Sequence, residues 1–87
     1  MIEDLINILR TEVCHRSPDE LIILAKRHFE TMSQFQFIRL FFLAFPTVPL
    51  RYFKEASASR HLIGEAGLDA SEIDELLGPW LKGAQNQ

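Results

Sequence analysis

The sequence predicts an all-α fold, a compact single-domain bundle of about five short helices around a central aromatic helix. Three observations lead to this prediction. Apolar residues recur three and four positions apart along most of the chain, which is the period of a helix with one buried face. Capping residues and prolines divide these stretches into separate segments. In residues 35–45, an eleven-residue stretch, only Gln36 and Arg39 are polar.

The first helix is predicted from Ile2 to about His15. Its apolar residues lie three and four positions apart and are Ile2, Leu5, Ile6, Leu9 and Val13. A second helix is predicted from Pro18 to about Met32. Ser17 and Glu20 have the spacing of a capping box, in which each side chain bonds the backbone N–H of the other, and proline suits the first helical position.

The third helix is the aromatic segment itself, with Ser33 as its predicted N-cap and Pro46 as its end. A helix that is apolar on nearly all sides must be covered on nearly all sides. A chain of 87 residues has little material for this cover. The sequence therefore predicts a homodimer in which the five phenylalanines of this helix form core or interface: Phe35, Phe37, Phe41, Phe42 and Phe45.

A fourth helix is predicted from Leu50 to Ile63, because Pro49 can open it and Gly64 follows its last residue. Asp69 or Ser71 is the predicted cap of a fifth helix. The apolar residues of that helix are Ile73, Leu76 and Leu77.

The pair Gly78-Pro79 is predicted to end the fifth helix, since glycine and proline are common just after helix termini. Trp80 and Leu81 would then fold back to close the core. This gives a single helical domain over residues 1–84 and a frayed C-terminal tail over residues 85–87.

Composition indicates an ordinary globular protein, with 47% apolar and 24% charged residues. The single cysteine, Cys14, cannot form an internal disulfide, and the N-terminus is acidic where a secretory signal would be basic. No apolar run approaches the roughly 20 residues that a membrane-spanning helix needs. We therefore expect a cytoplasmic protein with no membrane partner.

Charge is unevenly distributed along the chain. From Arg10 to Arg60 there are eight basic residues against five acidic ones, whereas residues 65–75 contain five acids and no base. Clustered like charges can steer a partner of opposite charge. We predict two possible partner-contact clusters, Arg51 with Lys54 and Asp74 with Glu75. The simpler alternative is that these charges only solvate helical surfaces.

No motif indicates catalysis, a metal site or a cofactor site. The candidate ligands Cys14, His15, His28 and His61 lack the short spacings of metal sites. The four glycines never cluster into a phosphate-binding loop. We therefore predict no catalytic, metal or cofactor residue, and the sequence favours a protein without enzyme activity.

Nucleic-acid binding is an alternative function. Residues 59–77 have a helix-turn-helix cadence, but the second helix would carry Glu72, Asp74 and Glu75, which repel phosphates. A nucleic-acid-binding regulator would instead use basic faces of the second and fourth helices. Those residues are Lys26, Arg27, Arg51, Lys54 and Arg60.

A nuclease is the second alternative. Arg10 and His15 are separated by four residues, and this spacing resembles the Arg-x4-His motif of the HEPN ribonucleases. Those enzymes are helical dimers in which such residues meet across the interface. The resemblance implies a small helical nuclease that uses Arg10 and His15.

The favoured function follows from elimination and from the surplus of apolar surface. We expect a small cytoplasmic protein-interaction module, acting as an adaptor, regulator or inhibitor. It would bind a second copy of itself and an unidentified protein partner.

Overall fold

Six helices make up most of the computed structural model, which describes residues 2–29 and 31–85. The helices are α1 (Ile2–Glu12), α2 (Pro18–His28), α3 (Gln34–Ala44), α4 (Leu50–Ala56), α5 (Arg60–Ile63) and α6 (Ala70–Gln85). The all-α prediction is confirmed, with an aromatic cluster at the centre of one domain. Within the described ranges, no helix is both long enough and apolar enough to cross a membrane.

Capping boxes begin both α2 and α3. The box at Ser17 and the Ser33 cap were predicted, whereas the part played by Gln36 was not. In the first, the Ser17 hydroxyl accepts the Glu20 N–H at 3.3 Å and the Glu20 carboxylate accepts the Ser17 N–H at 3.0 Å. That backbone hydrogen bond from Ser17 holds the pKa of the Glu20 carboxyl below its ordinary value. In the second, Ser33 and Gln36 make the equivalent pair of bonds at 3.1 and 2.9 Å.

The core is built on three phenylalanine rings that are fully buried, Phe37 and Phe41 of α3 and Phe53 of α4. Their ring centroids are 4.5 Å apart for Phe37–Phe41, 5.8 Å for Phe41–Phe53 and 6.5 Å for Phe37–Phe53. These separations fall in the range preferred by aromatic pairs. Helix α3 packs against α1 and α4, and α6 packs against α2 and α4.

The prediction of one continuous fourth helix from Leu50 to Ile63 is wrong. The helix stops at Ala56, and a second helix begins at Arg60. The Ser57 hydroxyl donates to the Lys54 carbonyl at 2.6 Å, and such local bonds from serine compete with helix formation. A single β-bridge then pairs Ser59 with Leu68. A Cβ atom on Gly67 would lie 2.4 Å from the Ala58 carbonyl oxygen, so this close approach requires glycine.

The predicted end of the last helix is also wrong, since α6 continues through Gly78 and Pro79 to Gln85. Proline destabilises the helix because it removes one backbone hydrogen-bond donor. Burial of Ile73, Leu77 and Leu81 against the core outweighs this loss.

Trp80 consequently lies within the helix instead of folding back, with its ring centroid 5.0 Å from that of Tyr52. Asp69, not Ser71, caps α6 by accepting the Glu72 N–H at 2.9 Å, and this bond lowers the pKa of the Asp69 carboxyl. Gln85 is the last residue of α6. The remaining two residues of the predicted tail, 86 and 87, lie outside the described residues.

Candidate functional site

Helix α3 has two apolar faces, and only one of them is covered. Phe37, Leu40, Phe41 and Ala44 form the inner face and are buried. Phe35 is 74% exposed, Phe42 38% and Leu43 43%. Ile38 is half-buried and Arg39 is exposed between them. Residues three, four and seven positions apart share one side of a helix. We call this side, formed by Phe35, Ile38, Arg39, Phe42 and Leu43, the outer face of α3.

Hydrogen bonds to other segments of the chain hold α3 at both of its ends. At the C-terminal end, Arg10 of α1 donates from Nε to the Ala44 carbonyl at 2.8 Å and from Nη2 to the Leu43 carbonyl at 3.3 Å. Terminal helix carbonyls lack intrahelical donors and favour cations. At the other end, the Gln34 side chain donates to the Ser57 carbonyl at 3.0 Å. The outer face therefore lies on a helix that is fixed at both ends.

The structure divides the predicted interface residues into two groups. Phe37, Phe41 and Phe45 are buried in the core, so they are not available to a partner. Phe35 and Phe42 lie on the outer face and are available. Sequence reasoning missed Leu43 and Ile38 as members of this face. The three- and four-residue spacing of Phe35, Ile38 and Phe42 did not single out this face, because the inner face has the same spacing.

The predicted basic partner cluster is exposed on α4. The Arg51 guanidinium carbon lies 5.1 Å from the Tyr52 ring centroid, which places this cation against an aromatic face. Lys54 is exposed one turn further along the helix.

The predicted acidic cluster lies on α6. Glu75 is exposed, whereas Asp74 is half-buried and accepts the backbone N–H of Asp19 at 3.1 Å. Asp74 therefore also links α6 to the start of α2. Both acids line a groove with Arg16, and no residue of α3 lines it.

One polar cluster was not predicted from the sequence. His61 Nε2 hydrogen-bonds Asp19 Oδ1 at 3.0 Å, and the Lys26 ammonium donates to the His61 carbonyl. Histidine and aspartate form part of a catalytic triad, which also needs a nucleophile on the imidazole. Among the described residues, neither a hydroxyl nor a thiol bonds that ring, and Ser59 bonds only the His61 backbone. The cluster joins α2 to α5.

The remaining candidate ligands are dispersed. Cys14 and His15 are exposed in the turn after α1, and His28 is exposed at the end of α2. In the described part of the chain, no three His, Cys, Asp or Glu residues are arranged to hold a metal ion. The guanidinium of Arg10 is engaged with the terminal carbonyls of α3, whereas His15 is exposed in the turn after α1.

Comparison with known proteins assigns no family to the chain. No protein-family model, no curated protein and no solved structure matches it. Function must therefore be argued from the surface of the molecule, and the outer face of α3 is its most distinctive feature.

Proposed function

We propose that this protein is a small protein-interaction module that works as a homodimer assembled through the outer face of α3. One observation supports the proposal above all others. Phe35 is 74% exposed on a helix whose two ends are fixed, next to the exposed side chains of Phe42 and Leu43. Contiguous exposed apolar patches are typical of interaction sites.

A second copy of the chain suits this face because of the chemistry of its residues. The face contains one cation, Arg39, and no acid, so an oppositely charged partner would find little to pair with. Phenylalanine and leucine surfaces complement themselves in a two-fold interface, where one patch meets an identical patch. In an antiparallel pair of α3 helices, Phe35 of one copy would pack near Phe42 of the other. The aliphatic part of Arg39 would cover apolar surface while its guanidinium reaches water.

The dimer leaves the remaining surface for a protein partner. Within this proposal, Arg51, Lys54 and Glu75 stay exposed to contact it, with Asp74 half-buried next to Glu75. An adaptor, regulator or inhibitor acts in this way, because it binds its partner without catalysing a reaction. The nucleic-acid alternative has less support, because Lys26 is engaged with the His61 carbonyl and Arg51 lies against Tyr52.

Analytical ultracentrifugation over a wide concentration range tests the dimer. We expect the wild-type protein to dimerise and the double variant Phe35→Ser, Phe42→Ser to remain a folded monomer, as judged by circular dichroism. Burying one phenylalanine contributes about 1.5–3 kcal/mol, and each 1.4 kcal/mol is about tenfold in affinity, so the double variant should dimerise at least about a hundredfold more weakly.

Ile63→Ser is the matched control, because Ile63 is a comparably exposed apolar residue, at 47%, on α5 instead of α3. This variant should dimerise as the wild type does. A wild-type protein that stays monomeric at every concentration would overturn the homodimer, as would a double variant that dimerises unchanged.

A further inference from the structure

A groove of about 660 Å³ lies between the α1–α2 turn and the second half of α6. Its volume is within the roughly 300–1,000 Å³ typical of ligand-binding clefts. The apolar residues Val13, Pro18, Pro79 and Leu81 line it, together with Arg16, Ser17, Asp74, Glu75 and Gly78. None of these residues belongs to the outer face of α3.

The groove has a negative character. Arg16 forms an ion pair with Glu12 at 3.1 Å, so its charge is balanced within the fold. Neither Asp74 nor Glu75 takes part in an ion pair within the described residues. Pro79 has no N–H to donate to the Glu75 carbonyl four residues earlier, so that carbonyl lacks its helical donor. One wall of the groove therefore presents acceptors, and the floor is apolar.

Gly78 leaves the groove wider than a larger side chain would, and it lowers the stability of the helix. Glycine within a helix is about 0.5–1 kcal/mol less favourable than alanine. A Cβ atom at position 78 would meet no atom within 4 Å, so packing does not require glycine there. The contrast is Gly67, where a Cβ would come within 2.4 Å of a backbone oxygen. Departures from local sequence rules that the fold does not need are expected at functional sites.

We propose that this groove binds a short segment of a partner protein in which an apolar side chain lies next to a lysine or arginine. The apolar side chain would pack on Val13, Pro18 and Leu81. The cation would pair with Glu75 and Asp74, and a backbone N–H of the segment would donate to the Glu75 carbonyl. This inference rests on the proposed role in protein binding. It does not depend on the dimer interface, which involves none of the groove residues.

A nuclear magnetic resonance titration with two blocked tetrapeptides tests the proposal. The probe is acetyl-Leu-Lys-Leu-Lys-amide, and the control is acetyl-Leu-Glu-Leu-Glu-amide, which has the same apolar side chains and the opposite charge. We expect the basic peptide to shift the amide signals of Val13, Ser17 and Gly78 saturably. The acidic peptide should leave them unchanged.

Two variants locate the binding. Gly78→Leu fills the groove with a better helix former, so it should abolish the shifts while leaving the unfolding midpoint equal or higher. Glu75→Gln should weaken binding by about two- to fivefold, the usual value of an exposed ion pair. Glu72→Gln is the control, since it removes the same charge from the same helix outside the groove and should change nothing.

The proposal is overturned if both peptides bind equally, or if Glu75→Gln and Glu72→Gln bind the basic peptide equally well. A folded Gly78→Leu variant that still binds would also overturn it. Repeating the titration on the Phe35→Ser, Phe42→Ser variant separates the two proposals. That variant should be a monomer that binds the basic peptide as the wild type does. A wild-type dimer that does not bind the peptide refutes the groove alone, and a wild-type monomer that binds it refutes the dimer alone.

Discussion

The inner and outer faces of α3 contain the same residue type in different surroundings. Phe41 on the inner face is fully buried, whereas Phe35 on the outer face is 74% exposed. Composition determines how much apolar surface the helix carries. The rotation of the helix about its axis determines which part is covered, and in this rotation the inner face is buried against α1 and α4. Stability therefore depends on one face, and in our proposal association depends on the other.

The largest expected effect separates the two faces directly. Phe41→Ala should destabilise the protein by about 3–5 kcal/mol, because it leaves a cavity among three neighbouring rings. Phe35→Ala should change the stability of the monomer by less than about 0.5 kcal/mol, as exposed substitutions usually do. Urea unfolding at low protein concentration measures both. If Phe41→Ala does not fold, Phe41→Leu and Phe35→Leu provide a milder comparison of the same kind. Equal losses at the two positions would mean that the chain itself covers Phe35.

A smaller effect is expected at the contact that fixes the C-terminal end of α3. Arg10→Ala removes two hydrogen bonds from a guanidinium to helix carbonyls, and bonds to charged groups contribute about 1.5–3 kcal/mol. Because Arg10 is exposed, we expect a loss near the lower end of this range. Arg39→Ala on the outer face is the matched control and should lie within about 0.5 kcal/mol of wild type. Thermal unfolding followed by circular dichroism measures both, at a protein concentration low enough that the monomer predominates. Indistinguishable midpoints for the two variants would show that Arg10 does not anchor α3.

The N-terminal end of α3 is held by a capping box, and α2 has a box of the same design. Ser33→Ala and Ser17→Ala should each cost about 1 kcal/mol, the typical value for an N-cap serine. Chemical unfolding of the two variants in parallel measures the difference between the caps. No change in the Ser33→Ala midpoint would mean that packing alone sets where α3 begins.

The smallest expected effect is a difference between the two capping boxes in how their contribution to stability depends on pH. The lowered pKa of Glu20 means that its box stabilises the fold fully above the ordinary carboxyl pKa. This stabilisation is lost as the pH falls through the lowered value. Gln36 does not titrate, so the box of α3 should be unaffected. Glu20→Gln should therefore reduce the loss of unfolding temperature between neutral and acidic pH. An acid response identical to that of the wild type would show that the Glu20 carboxylate contributes nothing.

The parts of the fold that could be predicted from sequence are those determined locally. Ser17 and Ser33 each bond a residue three positions away, and both caps were found for that reason. Rotation of α3 could not be predicted, because apolar residues occupy almost every position and leave no pattern to follow. The passage of α6 through Pro79 depends on the packing of Ile73, Leu77 and Leu81, which outweighs the local preference. The break after Ala56 combines a local bond from Ser57 with the bridge between Ser59 and Leu68.

The candidate sites follow the same rule. Phe35 and Phe42 were predicted as interface residues, but sequence could not separate them from Phe37, Phe41 and Phe45, which form the core. Asp74 and Glu75 were selected for their charge. The groove beside them could not be anticipated, since its floor joins Val13 and Pro18 to Leu81 across more than half the chain.

The bridge between Ser59 and Leu68 also has a practical use. Its two hydrogen bonds, Arg60 N–H to the Leu68 carbonyl at 2.9 Å and Leu68 N–H to the Ala58 carbonyl at 2.8 Å, close the base of a small loop. Residues 64–66 at the tip of that loop are exposed. With the base closed, lengthening the tip costs little, only about 0.6 kcal/mol for each doubling of loop length. A fluorescent or affinity tag inserted at the tip would therefore leave both the outer face of α3 and the groove free for measurement.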